Sequence, residues 1–156
     1  MIELQIPGFD EIRLEHLVLD YNGTLAVDGR PVPGVREAIA ALASRLTVHV
    51  VTADTFGQVR REMDGVDCTV SILPPGRQDE AKRRYVETLG ADKTAAVGNG
   101  RNDAMMLEAA RLGIAVILAE GASPRAMAAA DVVCTGIESA LALFVNPLRL
   151  TATLRT

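Results

Sequence analysis

The stretch LVLDYNGTLA, residues 17 to 26, is an apolar run that ends on Asp20 and then turns through Asn22-Gly23-Thr24. The run lacks the in-out alternation of a half-exposed strand, so it predicts a strand covered on both faces, as in a parallel sheet. A buried strand rarely ends on a charge without reason, because an unpaired carboxylate removed from water is costly. Asp20 is therefore the first candidate for chemistry, with Gly23 permitting the tight turn that follows.

Upstream, IELQI and EIRLE alternate apolar and polar residues on either side of PGFD, which predicts an N-terminal β-hairpin within residues 1–15. Downstream, strand-like and helix-like segments alternate. Helices are expected over PGVREAIAALASRL, TFGQVRREM, RQDEAKRRYVETLG, RNDAMMLEAARLG, SPRAMAAA and IESALALFV; strands over TVHVVTAD, DCTVSIL, TAAVG, IAVIL and DVVCT. Short connections between such elements predict an α/β, doubly wound (Rossmann-like) parallel sheet with helices on both faces. A single domain over 1–156 is expected: the hairpin, a core over 16–135 and a C-terminal helical segment over 136–156.

The composition fits this class and excludes others. Of the 156 residues, 49% are hydrophobic but only 3% aromatic, so the core is built of Ala, Val, Leu and Ile. A net charge of -4 argues against nucleic acid as a partner, because binding a phosphate backbone needs a basic surface. No apolar run reaches the ~18 residues of a membrane span, and the first ten residues do not read as a signal peptide. Cys68 and Cys134 are far apart in apolar contexts and predict two reduced, buried thiols in a cytoplasmic protein.

In a doubly wound sheet the ligand lies beyond the carboxyl ends of the strands. Four groups stand there or nearby: Asp20 with Asn22, Thr52 with Asp54, Lys82 near the start of a polar helix, and the loop Gly98-Asn99-Gly100 with Asn102 and Asp103. A carboxylate, a hydroxyl, an ammonium and a second acidic loop are what phosphoryl transfer through an aspartate requires. Other readings of single residues remain. Thr52 and Asp54 also suit helix capping, and Arg77, Arg83 and Arg84 compete with Lys82 as the cation. Met105 and Met106 read as core, and His16 and His49 as structural.

DYNGT, TAD, Lys82 and GNGRND, in this order, resemble the motifs of the haloacid dehalogenase (HAD) superfamily. GNGRNDAMML, GIAV and AADVV further resemble the phosphorylation domain of P-type ATPases, and small soluble P-type ATPase-like proteins in particular. The resemblance implies that Asp20 is a nucleophile forming an aspartyl-phosphate. It implies that Asp20, the carbonyl of Asn22, Asn99 and Asp103 hold Mg2+, that Thr52 and the amide of Ala53 bind phosphate, and that Lys82 neutralises Asp20 and a phosphate oxygen. The segments 25–46 and 55–81 are too short for a cap domain, so an open site, and a homo-oligomer that covers it, are expected.

Two positions depart from the family pattern. Asn22 stands where phosphatases of this superfamily carry a second acid, and an amide cannot transfer its proton. Asn99 stands where the family usually has a metal-binding Asp. The expected function is a slow Mg-dependent phosphohydrolase or phosphotransferase acting on an unidentified phosphorylated substrate. The alternative is an impaired pseudo-phosphatase acting as a binding or regulatory module. A receiver-like domain is disfavoured, since GNGRND has no role in one.

Overall fold

Residue by residue, the hydrophobic pattern assigns the chain to two faces of one sheet. The computed structural model describes residues 1–54 and 57–156. In chain order its elements are β1 (Ile2–Ile6), β2 (Asp10–Leu14), β3 (His16–Asp20), β4 (Ala26–Val27), β5 (Arg30–Pro31), α1 (Val35–Leu42), β6 (Thr47–Thr52), α2 (Gln58–Glu62) and β7 (Thr69–Ile72). They continue with α3 (Gln78–Leu89), β8 (Thr94–Gly98), α4 (Ala104–Ala109), β9 (Leu112–Val116), α5 (Pro124–Ala129), β10 (Val132–Cys134), α6 (Ile137–Val145) and α7 (Leu148–Leu154). The central sheet has six strands in the order β10-β9-β8-β3-β6-β7, all parallel. The expected N-terminal hairpin is present as β1 paired antiparallel with β2.

Strand period places alternate residues on opposite faces. Leu17 and Leu19 of β3, with Val48 and Val50 of β6, join a core formed with the hairpin, α1 and α6. Val18, Val51, Ala96 and Ala115 point the other way, onto Val86 of α3, Met106 and Leu107 of α4 and Ala126 of α5. Both faces of β3 are thus covered, which is why its sequence is apolar without alternation. Cys68 and Cys134 are half-buried and free. No helix among the described residues is long and apolar enough to cross a membrane.

Several elements differ from the sequence expectation. The helix expected over RNDAMMLEAARLG is a 3-10 turn (Arg101–Asp103) followed by α4, and β9 begins at Leu112. Gly113, the last residue of that expected helix, lies inside β9, where a Cβ would stand 2.5 Å from the carbonyl oxygen of Leu107; the strand passes too close to α4 for any side chain. Asp28 and Gly29, both with positive φ, close the β4–β5 ribbon as a two-residue turn. Helix α2 begins at Gln58, and the Thr55-Phe56 part of the expected helix lies outside the described residues. Between β3 and β6 the chain holds only this ribbon and α1, and neither is the size of a cap domain.

From β3 the chain moves to β6 and β7 on one side, then crosses to β8, β9 and β10 on the other. The order reverses between β3 and β8. Their carboxyl ends, Asp20 and Gly98, stand side by side at the point where doubly wound sheets bind ligands.

Candidate functional site

Asp20 ends β3 with 5% exposure, held there by a strand buried on both faces. Gly23 N donates to Ala26 O at 2.8 Å, and Tyr21 O accepts from the amides of Thr24, Leu25 and Ala26, so the chain reverses tightly after the carboxylate. Gly23 has φ 79°, and a Cβ there would lie 2.3 Å from Asn99 Nδ2. Its glycine thus serves the left-handed turn and also the close approach of the Asn99 loop.

Lys82 reaches the same point from α3. Its side chain is buried, and its Nζ lies 2.6 Å from Asp20 Oδ1 and 2.6 Å from Asp103 Oδ1. This selects Lys82 from the basic residues near it: Arg77 pairs with Asp79, Arg83 pairs with Glu87, and Arg84 is exposed. Asp103 is wholly buried. Its Oδ2 accepts from the amides of Asn99 (3.0 Å) and Gly100 (2.8 Å), so this carboxylate ties the loop after β8 to the lysine.

Asn99 carries its side chain in a fixed sense. Nδ2 donates to the Gly121 carbonyl at 3.0 Å, which leaves Oδ1 facing Thr24 Oγ1 at 3.2 Å. The Thr24 hydroxyl also lies 2.9 Å from Asp20 Oδ2. One hydroxyl proton cannot serve both acceptors at once, so Asp20 Oδ2 and Asn99 Oδ1 converge on a single point. Thr24, which reads in the sequence only as part of the turn, is wholly buried and is the residue that sequence reasoning missed. Its signal was present: a hydroxyl four residues after a strand-end carboxylate.

Burial and the facing Asp103 carboxylate raise the Asp20 carboxyl to about 6, with Lys82 and Thr24 pulling the other way. Burial alone would lower Lys82, but the carboxylates of Asp20 and Asp103 outweigh it and hold the ammonium charged well above its ordinary range. Fully ionised, the cluster holds two carboxylates and one ammonium and is one positive charge short.

Thr52, buried at the end of β6, neighbours this cluster, since Asp20 pairs with Val51 in register. Ala53 and the exposed Asn22 line an adjoining cleft of about 470 Å³ with Tyr21, Asp28 and Asp54. Asp54 Oδ2 accepts from Val59 N at 3.0 Å, which caps α2. Among the described residues no group of three His, Cys, Asp or Glu side chains is placed to hold a metal. Any metal here would use amide or backbone oxygens beside Asp20. The sequence-predicted Asp20, Lys82, Asn99 and Asp103 are thus in direct or shared contact, with Thr52 beside them and Asn22 and Ala53 at the mouth.

A family model described as haloacid dehalogenase-like hydrolase matches residues 83–140. An uncharacterised protein of Methanocaldococcus jannaschii is 40% identical over 84 residues, covering 51% of this chain and 90% of that one. The chloroplastic protein HMA1 of Arabidopsis thaliana, described as a probable cadmium/zinc-transporting ATPase, is 35% identical over 122 residues; the match covers 74% of this chain but 14% of the transporter. Among solved structures, a 3-deoxy-D-manno-octulosonate 8-phosphate phosphatase from Moraxella catarrhalis, in complex with magnesium, phosphate and a KDO molecule, superposes with TM-score 0.70 at 16% identity, covering 85% of this chain and 86% of that one. The cobalt-bound deoxy-D-mannose-octulosonate 8-phosphate phosphatase of Haemophilus influenzae gives TM-score 0.71 at 14% identity, covering 92% and 94%.

Proposed function

We propose that the chain is a haloacid dehalogenase-like protein, the family whose model matches residues 83–140, and that it is a slow, magnesium-dependent phosphohydrolase or phosphotransferase acting through Asp20. One observation carries the proposal. A buried carboxylate at the sheet's switch point is held between a buried lysine and a hydroxyl, beside an open cleft. No structural role requires so costly an arrangement.

The residues fit magnesium. The donors facing the Thr24 hydroxyl are oxygens, and the cluster lacks one positive charge. Asp20, Asn99 Oδ1 and the Asn22 carbonyl would hold the ion. Asp103, with one oxygen on Lys82 and the other on two amides, is better read as the residue that fixes the loop and the lysine. When bound, the ion supplies positive charge that offsets repulsion between Asp20 and the phosphoryl group.

The rest is done by the chain. An Asp20 oxygen attacks phosphorus, an aspartyl-phosphate bond forms, and the bond to the leaving oxygen breaks. Lys82 and Thr52 bind phosphoryl oxygens and stabilise the charge that develops on them. The leaving oxygen takes its proton from water, because Asn22 has none to give. Water then attacks phosphorus and releases phosphate and the Asp20 carboxylate. Both steps lack general acid-base help typically worth ~10²- to 10⁴-fold, so the phosphoenzyme is long-lived. That property suits the likeness to P-type ATPases, whose phosphorylated aspartate must persist.

The test is turnover of a generic phosphate monoester with magnesium. Activity is expected to vanish in Asp20→Asn and to rise by a factor of about 10² or more in Asn22→Asp. Turnover that survives Asp20→Asn refutes the mechanism. A second reading, a pseudo-phosphatase that binds phosphorylated partners without releasing product, is favoured by the amides at positions 22 and 99. It predicts phosphate binding by calorimetry and no turnover in either protein.

A further inference from the structure

We propose that the cleft beside the Asn99–Asp103 loop is a second anion site, and that the preferred substrates are phosphate esters carrying a second anionic group, a carboxylate or another phosphate. The proposal rests on the phosphoryl-transfer reading of Asp20. The cleft encloses about 660 Å³, within the range of small-molecule sites, and is lined by Arg77, Gln78, Asp79, Arg101, Asn102 and Arg125 among others, three arginines against one carboxylate.

Its charge is not balanced. Arg77 lies 3.2 Å from both Asp79 and Glu80, so its charge is met locally. Arg101 and Arg125 are exposed and have no acidic partner among the described residues. Both guanidinium groups border one cleft, and an anion bound there would offer paired acceptors to their planar donors.

Nor is the cleft a loose surface patch. Each element that contributes to it is bonded to the Asn99–Asp103 loop. Arg101 and Asn102 lie on the 3-10 turn that Asp103 pins to the Asn99 and Gly100 amides. Asn102 Nδ2 donates to Gln78 Oε1 at 3.2 Å, which joins the start of α3. Ser123 N donates to Asn99 O at 2.8 Å, two residues before Arg125, which joins the start of α5. A group seated on Arg101 and Arg125 is thereby referenced to the same loop that faces Asp20. The chain itself is acidic, so a local excess of arginine is not a general surface property.

The test uses two series of linear alkyl phosphates of two to six carbons, one ending in a carboxylate and one in a methyl group, titrated into the full-length Asp20→Asn protein with magnesium. At one or two chain lengths the carboxylate is expected to tighten binding by about tenfold. That gain is expected to disappear in Arg101→Gln/Arg125→Gln, whose folding is checked by circular dichroism. Replacing the carboxylate by a second phosphate should preserve the gain. If methyl-ended esters bind and no length shows a gain, or the gain survives the double substitution, the second site is refuted while the phosphoryl reading stands. If no methyl-ended ester binds to this variant or to the wild type, the phosphoryl reading fails. The cleft is then judged by the Nε resonances of Arg101 and Arg125 titrated with glutarate, where shifts support an anion site and their absence overturns it.

Discussion

The amide of Asn99 is oriented by two neighbours of opposite character, the Gly121 carbonyl that accepts from Nδ2 and the Thr24 hydroxyl that faces Oδ1. An aspartate at this position would set a carboxylate oxygen against the Gly121 carbonyl and add a second charge beside Asp20. Asn99→Asp is therefore expected to lose about 1–3 kcal/mol of stability in EDTA, through the unpaired carbonyl and the added charge. Magnesium, which gains a ligand charge, is expected to recover more stability in the variant than in the wild type. Urea melts with and without the ion check both signs, and unchanged stability in EDTA would show that the Gly121 bond does not select the amide. The sequence displayed Asn99 as a departure from the motif pattern it resembles. It could not display the cause, because the carbonyl that fixes the amide is 22 residues away, and the Thr24 hydroxyl 75.

At the scale of elements, the pairing of β3 with β6 brings together groups that the sequence leaves unrelated. His16 Nδ1 and His49 Nε2 lie 3.3 Å apart, His49 Nδ1 lies 3.0 Å from Tyr85 OH of α3, and Ser71 of β7 donates to that hydroxyl at 3.1 Å. The expectation that both histidines are structural had no partners to name. Those partners depend on the register that sets Val18 opposite His49, and no local pattern encodes a register between strands separated by a helix. The strands themselves were legible because burial on two faces leaves an apolar run. The Asp28-Gly29 turn was equally legible from its residue types but is overshadowed by the motif before it.

Burial and the neighbouring His16 hold His49 down to about 4. A base whose folded pKa lies below its unfolded value is neutral in the fold, so the stability it leaves intact above about 6.5 is lost as the pH falls toward 4. Asp20 has the opposite sign. Its raised value means that the folded state keeps a proton that the unfolded chain releases, so acidification from 6 toward 4 stabilises. The contribution of His49 therefore appears in a comparison of two proteins. Relative to His49→Gln, the wild type is expected to lose up to about 3 kcal/mol between pH 6.5 and 4. Parallel stability curves over that interval would refute it.

Across the whole molecule, the sheet's switch point and the single-charge deficit coincide. Asp20 comes from β3, Lys82 from α3 and Asp103 from the turn after β8, so the cluster joins segments from both halves of the sheet order. Lys82→Met would leave two buried carboxylates facing each other. A loss of about 3–5 kcal/mol is expected in metal-free protein, with magnesium restoring part of it. A loss under about 1 kcal/mol in a denaturant melt would mean that protonation relieves the carboxylates without the lysine. The fold was readable from the alternation of elements, and Asp20 and the Asn99–Asp103 loop from their places after strands. The placing of Arg101 and Arg125 on one cleft was not, because they stand on separate elements with a strand between them.

Helix α3 carries both Lys82 and Tyr85, one turn apart, so one face of it is fastened to the buried carboxylates of Asp20 and Asp103 and to the histidine pair. Fraying of this helix cannot release the lysine without also exposing the imidazoles to proton exchange with solvent. The two networks open as one cooperative unit, so slow amide exchange along α3 and an intact carboxylate–lysine cluster report the same opening event.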